Sequence, residues 1–542
     1  RGMGVVGVRP GLDPDPSPGA CRMSTQLAER LEPTLEPFAN ARSHAAGMEA
    51  TLSSDEMIRK PHTDVEDLCA EQGREWARLM LQEHMRLRAQ LERRVDVHGA
   101  DGVERRGVRD SERQLETTLG TVPVSRMAYQ APGSQDLHPM DAVLNLPRER
   151  FSYGVRRMVA KEVARASFDE VVEIVHDYTG AQIAKRQVEE LAVRAAQDFD
   201  AFYEQREPAV ERTERALLVI STDAKGVVMR HEDLREATRV AAQNKVYKLE
   251  TRLTPGEKSE RKRMAQVATV YWIEPWPRTA ADVVHTLRGP DVETKRPRPV
   301  DKRVWASVEK HPSKVIREAF DEALRRDPDR RQRWIVLVDG EPKQLRAVKA
   351  QARRVGVQVT ILVDVVHVLE YVWKAARAIF GESNAEAETW VGNRLLALLT
   401  GRTGGQVAAT IRRWAEGRKD KLDEASHRQV VRACRYLSDR TRTRLMHYQQ
   451  ALQDGLPIAT GVVEGACRYL VKDRMDRTGA RWRLMSAEAV LRLRALRSSG
   501  DFDAYWRFHL ERERGRNHTP LYDGGSVPDP LPPARRPLRR LK

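Results

Sequence analysis

Between Gly455 and Met475 the chain reads GLPIATGVVEGACRYLVKDRM, in which one acid, Glu464, is followed at near-helical spacing by Arg468, Lys472 and Arg474. Gly455, Pro457 and Gly461 mark a turn, so Glu464 falls on the first turn of a helix that is otherwise basic. A lone carboxylate opening a basic helix can hold a divalent cation against a phosphodiester backbone. One acid is not a metal site, and partner carboxylates must come from elsewhere in the chain.

Two candidates share a context. ALLVISTDAKG and RWIVLVDGE each end an apolar, β-branched run on an aspartate, Asp223 and Asp339. A carboxylate at the end of a buried strand sits on the rim of a sheet, where ligand crevices open. Like charges gathered there repel unless a cation lies between them, and Mg²⁺ favours carboxylate oxygens with water in its remaining positions. Two such ions about 3.5–4 Å apart can activate an attacking oxygen and stabilise a leaving one in an in-line phosphoryl displacement. A strand-terminal Asp can equally start a turn or cap the next helix, as Asp339 before Gly340 could.

Asp364 competes for the second acidic position. It ends VQVTILVD, and His367 follows three residues later on the same helical face. Strand order favours Asp339, which precedes a crossover helix. Asp364 and His367 are therefore assigned an accessory role, and a purely structural Asp–His hydrogen bond fits the same two residues.

These side chains need a scaffold. Strand patterns end at Asp223, Asp339 and Asp364, and another covers 264–275; helical patterns cover about 312–326, 342–354 and nearly all of the chain from 364 to 510. Upstream, helical spacing covers 65–96, and residues 118–130 alternate like a strand pair. Three helical patterns follow at 155–166, 168–178 and 182–196. Ser167 with Glu170 forms a capping box, Gly180 breaks the run, and AQIAKRQVEEL opens the last helix. This reads as a helix-turn-helix presenting Gln182, Lys185, Arg186 and Gln187 to a DNA groove, although a plain helical bundle has the same pattern. In the basic stretch 466–499, Arg468, Lys472, Arg474 and Arg481 flank the proposed acids and suit phosphate contacts. Trp482 reads as a core residue.

Composition agrees with a polyanion partner. The 542 residues carry 94 Lys and Arg against 78 Asp and Glu, a net charge of +16, and such a field attracts nucleic acid through counterion release. Four scattered cysteines make neither a zinc pattern nor a disulfide framework. No apolar run approaches the roughly 18 residues of a membrane span, and with a mean hydropathy of −0.60 the expectation is a cytoplasmic, nucleoid-associated protein. The first 22 residues, rich in Gly, Pro and Asp, read as disordered or as upstream translation, with Met23 and Met48 as possible starts.

With these residues in hand, the chain resembles bacterial insertion-sequence transposases of the ISKra-four family, related to the Mutator-like DDE enzymes. The resemblance spans about 65–510. It is carried by LVDVVHVLEYVWKAA (362–376), GLPIATGVVEGACRYLVKDRM (455–475), TGARW (478–482) and DFDAYW (501–506), with PMDAVLNLP (139–147) and RQVEEL (186–191) in support. It implies an α/β RNase H-like catalytic core with a large all-helical insertion, preceded by a mainly helical N-terminal DNA-binding region. Asp223, Asp339 and Glu464 fall on the metal-ligand positions, and Asp364 with His367 on the accessory Cys/Asp-x-x-His motif.

The domain boundaries expected on that basis are 1–64 disordered, 65–150 helical with short strands, and 151–210 helix-turn-helix. The catalytic core occupies 211–380 and 455–510 around a helical insertion at 381–454, and 511–542 is a disordered basic tail. Relatives commonly carry a cysteine pair near 118–138; YQAPGSQDL has none, so no zinc module is expected there. The implied activity uses two Mg²⁺ (or Mn²⁺) ions. Water cuts at the element's terminal inverted repeats, and the freed 3′-hydroxyl attacks target DNA. At least a dimer is needed to hold two ends together. The alternative is a catalytically inactive or domesticated DNA-binding protein descended from such an enzyme.

Overall fold

A computed structural model of the chain describes residues 36–207, 216–245, 261–288, 296–382 and 384–533. It falls into two compact units, Arg1–Ser152 with Asn517–Lys542, and Tyr153–Arg516.

In the first unit the long helix His62–Leu91 packs on a hairpin of β1 (Gly107–Thr117) and β2 (Gly120–Gln130). Alternation in TVPVSRMAYQ turns Val122 and Val124 inward against Met85 and Leu115. The turn places the antiparallel partner of β2 at 107–117, upstream of the stretch the alternation marked. Two expected disordered segments differ. Helix Ala39–Leu52 lies inside the supposed 1–64 tail: its Ala-rich sequence favours helix, and it packs along His62–Leu91 with the Asn40 amide donating to Glu83 at 3.0 Å. Within 511–542, Tyr522 is buried with Val97, Tyr129 and Leu137, and the Pro530 carbonyl accepts from the Arg93 amide at 2.8 Å. Apolar residues inside a Pro/Arg-biased segment found partners that composition does not reveal. The expected disorder of 1–35 and 534–542 lies outside the described residues.

The second unit opens with helices Tyr153–Glu162, Phe168–Thr179 and Lys185–Ala196. Both halves of the Ser167–Glu170 capping box form, and Gly180 ends its helix at φ +69°, a conformation glycine adopts without strain. Residues 151–210 do not stand apart as a domain, because the helix Lys185–Ala196 packs on Leu484–Ser499 within the same unit.

The centre is a five-stranded mixed sheet in the order β5-β4-β3-β6-β7: β3 Leu217–Val228, β4 Lys262–Ile273, β5 Val300–Ser307, β6 Trp334–Val338 and β7 Val359–Val363. β4 runs antiparallel to β3 and β5, while β6 and β7 run parallel to β3. β6 is buried throughout, as an apolar run covered on both faces must be. Helices Pro312–Arg326 and Pro342–Val355 connect β5 to β6 and β6 to β7. After β7 the described elements are helical: Val365–Phe380, Ala385–Leu399, Gly404–Glu416, Glu424–Arg442 and Tyr448–Gln453, with Phe380, Trp390 and Trp414 packed edge to face or tilted at their centre. The chain then returns to the sheet through Gly461–Ala466.

Candidate functional site

Register builds the site. Ser221 of β3 pairs with Leu337 of β6, and Leu337 pairs with Leu362 of β7. Two residues beyond each partner come Asp223, Asp339 and Asp364, so the three acids form one row across three neighbouring strands and share a face. The sequence pattern ends β3 at Asp223, but the strand continues to Val228 because β4 goes on pairing with it there. Glu464 arrives from the other direction, on the helix that follows the insertion. The four acids line one cleft of about 370 Å³ together with Lys225, His367, Arg468 and Lys472.

The acids do different work. Asp364 is 1% exposed. Its Oδ1 caps the helix Val365–Phe380 by accepting from the Val366 amide at 2.7 Å, and its Oδ2 accepts from the Thr460 amide at 3.0 Å and from the Thr460 hydroxyl. It therefore ties the end of β7 to the start of the Glu464 helix. Asp364 bonds Thr460 rather than His367, which stands 3.7 Å from Glu370 and edge-on to Tyr371 and Tyr436, so the alternative of a structural Asp–His hydrogen bond is not realised. Asp339 keeps part of its surface open, with Oδ1 accepting from the Glu341 amide at 3.0 Å. Asp223 Oδ1 accepts from the Ala224 amide at 2.6 Å, and its Oδ2 accepts from the Cys467 thiol at 3.2 Å.

Electrostatics separates Glu464 and Asp339 from ordinary surface carboxylates. Burial, and then the neighbouring Asp364 carboxylate, push Glu464 up to about 7, with Asp223 adding to the shift. Burial also raises Asp339; the Glu341 amide and His367 oppose it, and Asp223 pushes the same way as burial. Burial and the Asp223 carboxylate push the Cys467 thiol up. Like-charge repulsion of this kind is relieved by a cation. The donor set, three carboxylates with a fourth bracing them, suits Mg²⁺ or Mn²⁺. The ligand atoms are not all within 4.8 Å of one another; among the described residues that closeness belongs to Asp198, His509 and Glu513.

Three contributors escaped the sequence reading. Thr460 braces Asp364 and Glu464. Cys467 contacts Asp223. Tyr436, on Glu424–Arg442 of the insertion, donates to the Asp339 carbonyl at 3.0 Å and stacks on Tyr371 at 3.9 Å. The helix carrying Glu464 also changes to π geometry over Cys467–Lys472, a wide turn common at functional sites.

The basic residues divide. Arg468, Lys472 and Arg481 are exposed. Arg474 is buried at 3% exposure, its Nε donating to the Val163 carbonyl at 3.1 Å, so it does not face the acids. The wider π turn over 467–472 changes which face each later residue occupies, and simple helical spacing does not foresee it. Trp482 is buried at 4% exposure, its Nε1 donating to Met475. On Lys185–Ala196, Lys185 is paired with Asp169 at 2.6 Å and Arg186 with Glu190 at 3.0 Å, while Gln182 lies in the preceding turn, 3.3 Å from His176. The helix begins at Lys185 rather than 182, with the Gln187 side chain accepting from the Ala184 amide at 2.9 Å. These pairs are exposed and worth little to stability.

No protein-family model matches this chain, and no curated protein matches it.

Proposed function

We propose that the second unit is the catalytic body of a DDE transposase, a metal-dependent enzyme that cuts and joins DNA at the ends of an insertion sequence. One observation carries the reading: Asp223, Asp339 and Glu464, spread over 240 residues of chain, line a single cleft that also holds Lys225, Arg468 and Lys472. A protein that only bound DNA would gain nothing from acids crowded until burial and mutual repulsion raise two of them. The mixed sheet with β6 and β7 parallel to β3, and the helices interposed before Glu464, support an RNase H-like core.

Asp223, Asp339 and Glu464 would hold two Mg²⁺ or Mn²⁺ ions, whose chemistry is to activate the attacking oxygen and stabilise the leaving one. Arg468 and Lys472 contact the phosphates that flank the reacting group. Asp364 and Thr460 orient the Glu464 helix, and Tyr436 with His367 steadies the backbone and charge of Asp339. The helices 153–196 and their basic side chains bind the terminal inverted repeats, and two copies of the chain bring two ends together.

The test is strand cleavage of element-end DNA in Mg²⁺, comparing alanine variants at 223, 339, 364 and 464. Asp339→Ala is expected to abolish cleavage while DNA binding survives; full cleavage by that variant ends the assignment. Asp364→Ala is expected to lose thermal stability as well, because it removes the cap of Val365–Phe380 and the brace of Thr460.

A further inference from the structure

A second cleft, of about 350 Å³, opens between the start of helix Phe168–Thr179 and the loop 476–483. Arg474 lines it. Its Cζ lies 4.8 Å from the Trp482 ring centroid and 5.5 Å from that of Phe168, and its Nη2 is buried with no hydrogen-bond partner. A guanidinium withdrawn from water with a donor unmet is costly unless an anion visits it. Burial, reinforced by Arg494 and Arg477, pushes Arg474 down to about 10, the shift expected where positive charge is under-compensated.

The rest of the lining agrees. Lys185, Arg230, Arg477, Arg481 and Arg483 border the same cleft and are exposed. Three carboxylates face them, already engaged: Asp169 with Lys185 at 2.6 Å, Glu170 in the cap of its own helix, and Glu189 accepting from the Ser486 hydroxyl at 3.4 Å. Helix Leu484–Ser499 also starts here, with no side-chain cap and no acid in its first turn. Its free amides and positive dipole end add to the attraction for an anion.

We propose that this cleft is a phosphate-binding site, separate from the acidic cleft, that takes a backbone phosphate of duplex DNA with Arg474 as the buried donor and Arg477 and Arg481 as outer clamps. The anion chemistry stands on the cleft alone; that the phosphate belongs to DNA rests on the transposase reading. Position supports it. Trp482 pairs with the end of β3, its amide donating to Val228 at 3.0 Å, five residues beyond Asp223. That is about 17 Å along the strand, or about five base pairs of B-DNA, so one duplex reaches both clefts.

The experiment measures anisotropy of fluorescein-labelled duplex DNA on the full chain, in EDTA, across a salt series. The double variant R477Q/R481Q, altered only at exposed positions, is expected to bind roughly tenfold more weakly and to lose about one to two from the slope of log affinity against log salt. R474Q, confirmed folded by a cooperative melt, is expected to do the same. Unchanged affinity and slope in R477Q/R481Q overturn the proposal. A calorimetric arm uses inorganic phosphate. If phosphate binds the unaltered chain but not the double variant, while duplex binding is equal in both, the site serves a small anion and its assignment to DNA is overturned. Failure of the transposase reading looks different: no cleavage in Mg²⁺ while the variants still shift the salt slope, which supports this site on its own.

Discussion

Two acidic clusters in the second unit look alike in composition and opposite in electrostatics. Asp198, His509 and Glu513 bring ligand atoms within 4.8 Å of one another and are all buried, the arrangement a search for metal sites would choose first. Their charge is already balanced. The Arg156 guanidinium donates to Glu513 at 2.6 Å and to His509 Nε2 at 3.1 Å, so the ring accepts there and its Nδ1–H donates to Asp198 at 2.7 Å; Arg516 bridges both carboxylates. Burial pulls Asp198 and Glu513 upward, but His509 with Arg516, and Arg156 respectively, hold both below their ordinary range. In the cleft Asp223, Asp339 and Glu464 keep part of their surface open, and Asp339 and Glu464 are pushed upward. On the proposed reading, unbalanced charge rather than proximity of carboxylates marks the cation site, because an ion is bound where it supplies something the protein does not.

That contrast can be broken by measurement. The largest effect is expected from Asp223→Asn, Asp339→Asn or Glu464→Gln. Each should lower Mg²⁺-dependent strand cleavage by about a thousandfold or more and leave the melting temperature unchanged or higher, since repulsion is relieved; a clear drop in melting temperature would mean that the cleft acids are structural like the others. Next, Glu513→Gln should cost about 3–5 kcal/mol in a denaturant titration, because it leaves the buried Arg156 charge without its carboxylate, and Arg156→Met should cost less, because Arg516 still pairs with Glu513. Cleavage by the fraction that stays folded should be little changed.

The pH dependence sharpens the comparison further. Glu464 has a raised folded value, near 7, so the native state binds more protons than the unfolded chain between about 4.5 and 7. Its ionisation cost is absent below 4.5 and complete above 7, so metal-free stability should fall as pH rises through that window. Added Mg²⁺ should raise the melting temperature at pH 8 and much less at pH 5. Equal shifts at both pH values would remove the cleft acids as its ligands. For Asp198 and Glu513 the sign is reversed: their stabilisation is present above the unfolded values and lost on acidification. Thr460→Val should cost about 1–3 kcal/mol, since Asp364 loses a buried donor, with a partial loss of cleavage. Tyr436→Phe should be mildest, about 0.5–1.5 kcal/mol for one hydrogen bond and a few-fold loss of rate, because the stack on Tyr371 remains.

Much was readable from local pattern. Helix 312–326, helix 342–355, the capped helix after Ser167 and the acids at the ends of β6 and β7 follow from periodicity, caps and apolar runs, all properties of neighbouring residues. β5 is not legible locally, since its burial depends on pairing with β4, nor is the helix Ala39–Leu52, held by a partner helix farther along the chain. Asp339 and Asp364 look alike as strand-end acids apart from strand order, which favours Asp339. Their partners separate them physically, Thr460 closing over Asp364 and leaving Asp339 open.

Residue type and spacing alone named Asp223, Asp339, Asp364 and Glu464 as carboxylates positioned for chemistry, because an acid after a buried strand or on a first helical turn is marked by its immediate neighbours. That three of them stand in one row depends on strand register, and that Arg474 turns away from them depends on a π turn and on Trp482 and Phe168. Register and burial arise from contacts between segments far apart in the chain, which no local pattern encodes, and so the tertiary structure decided them.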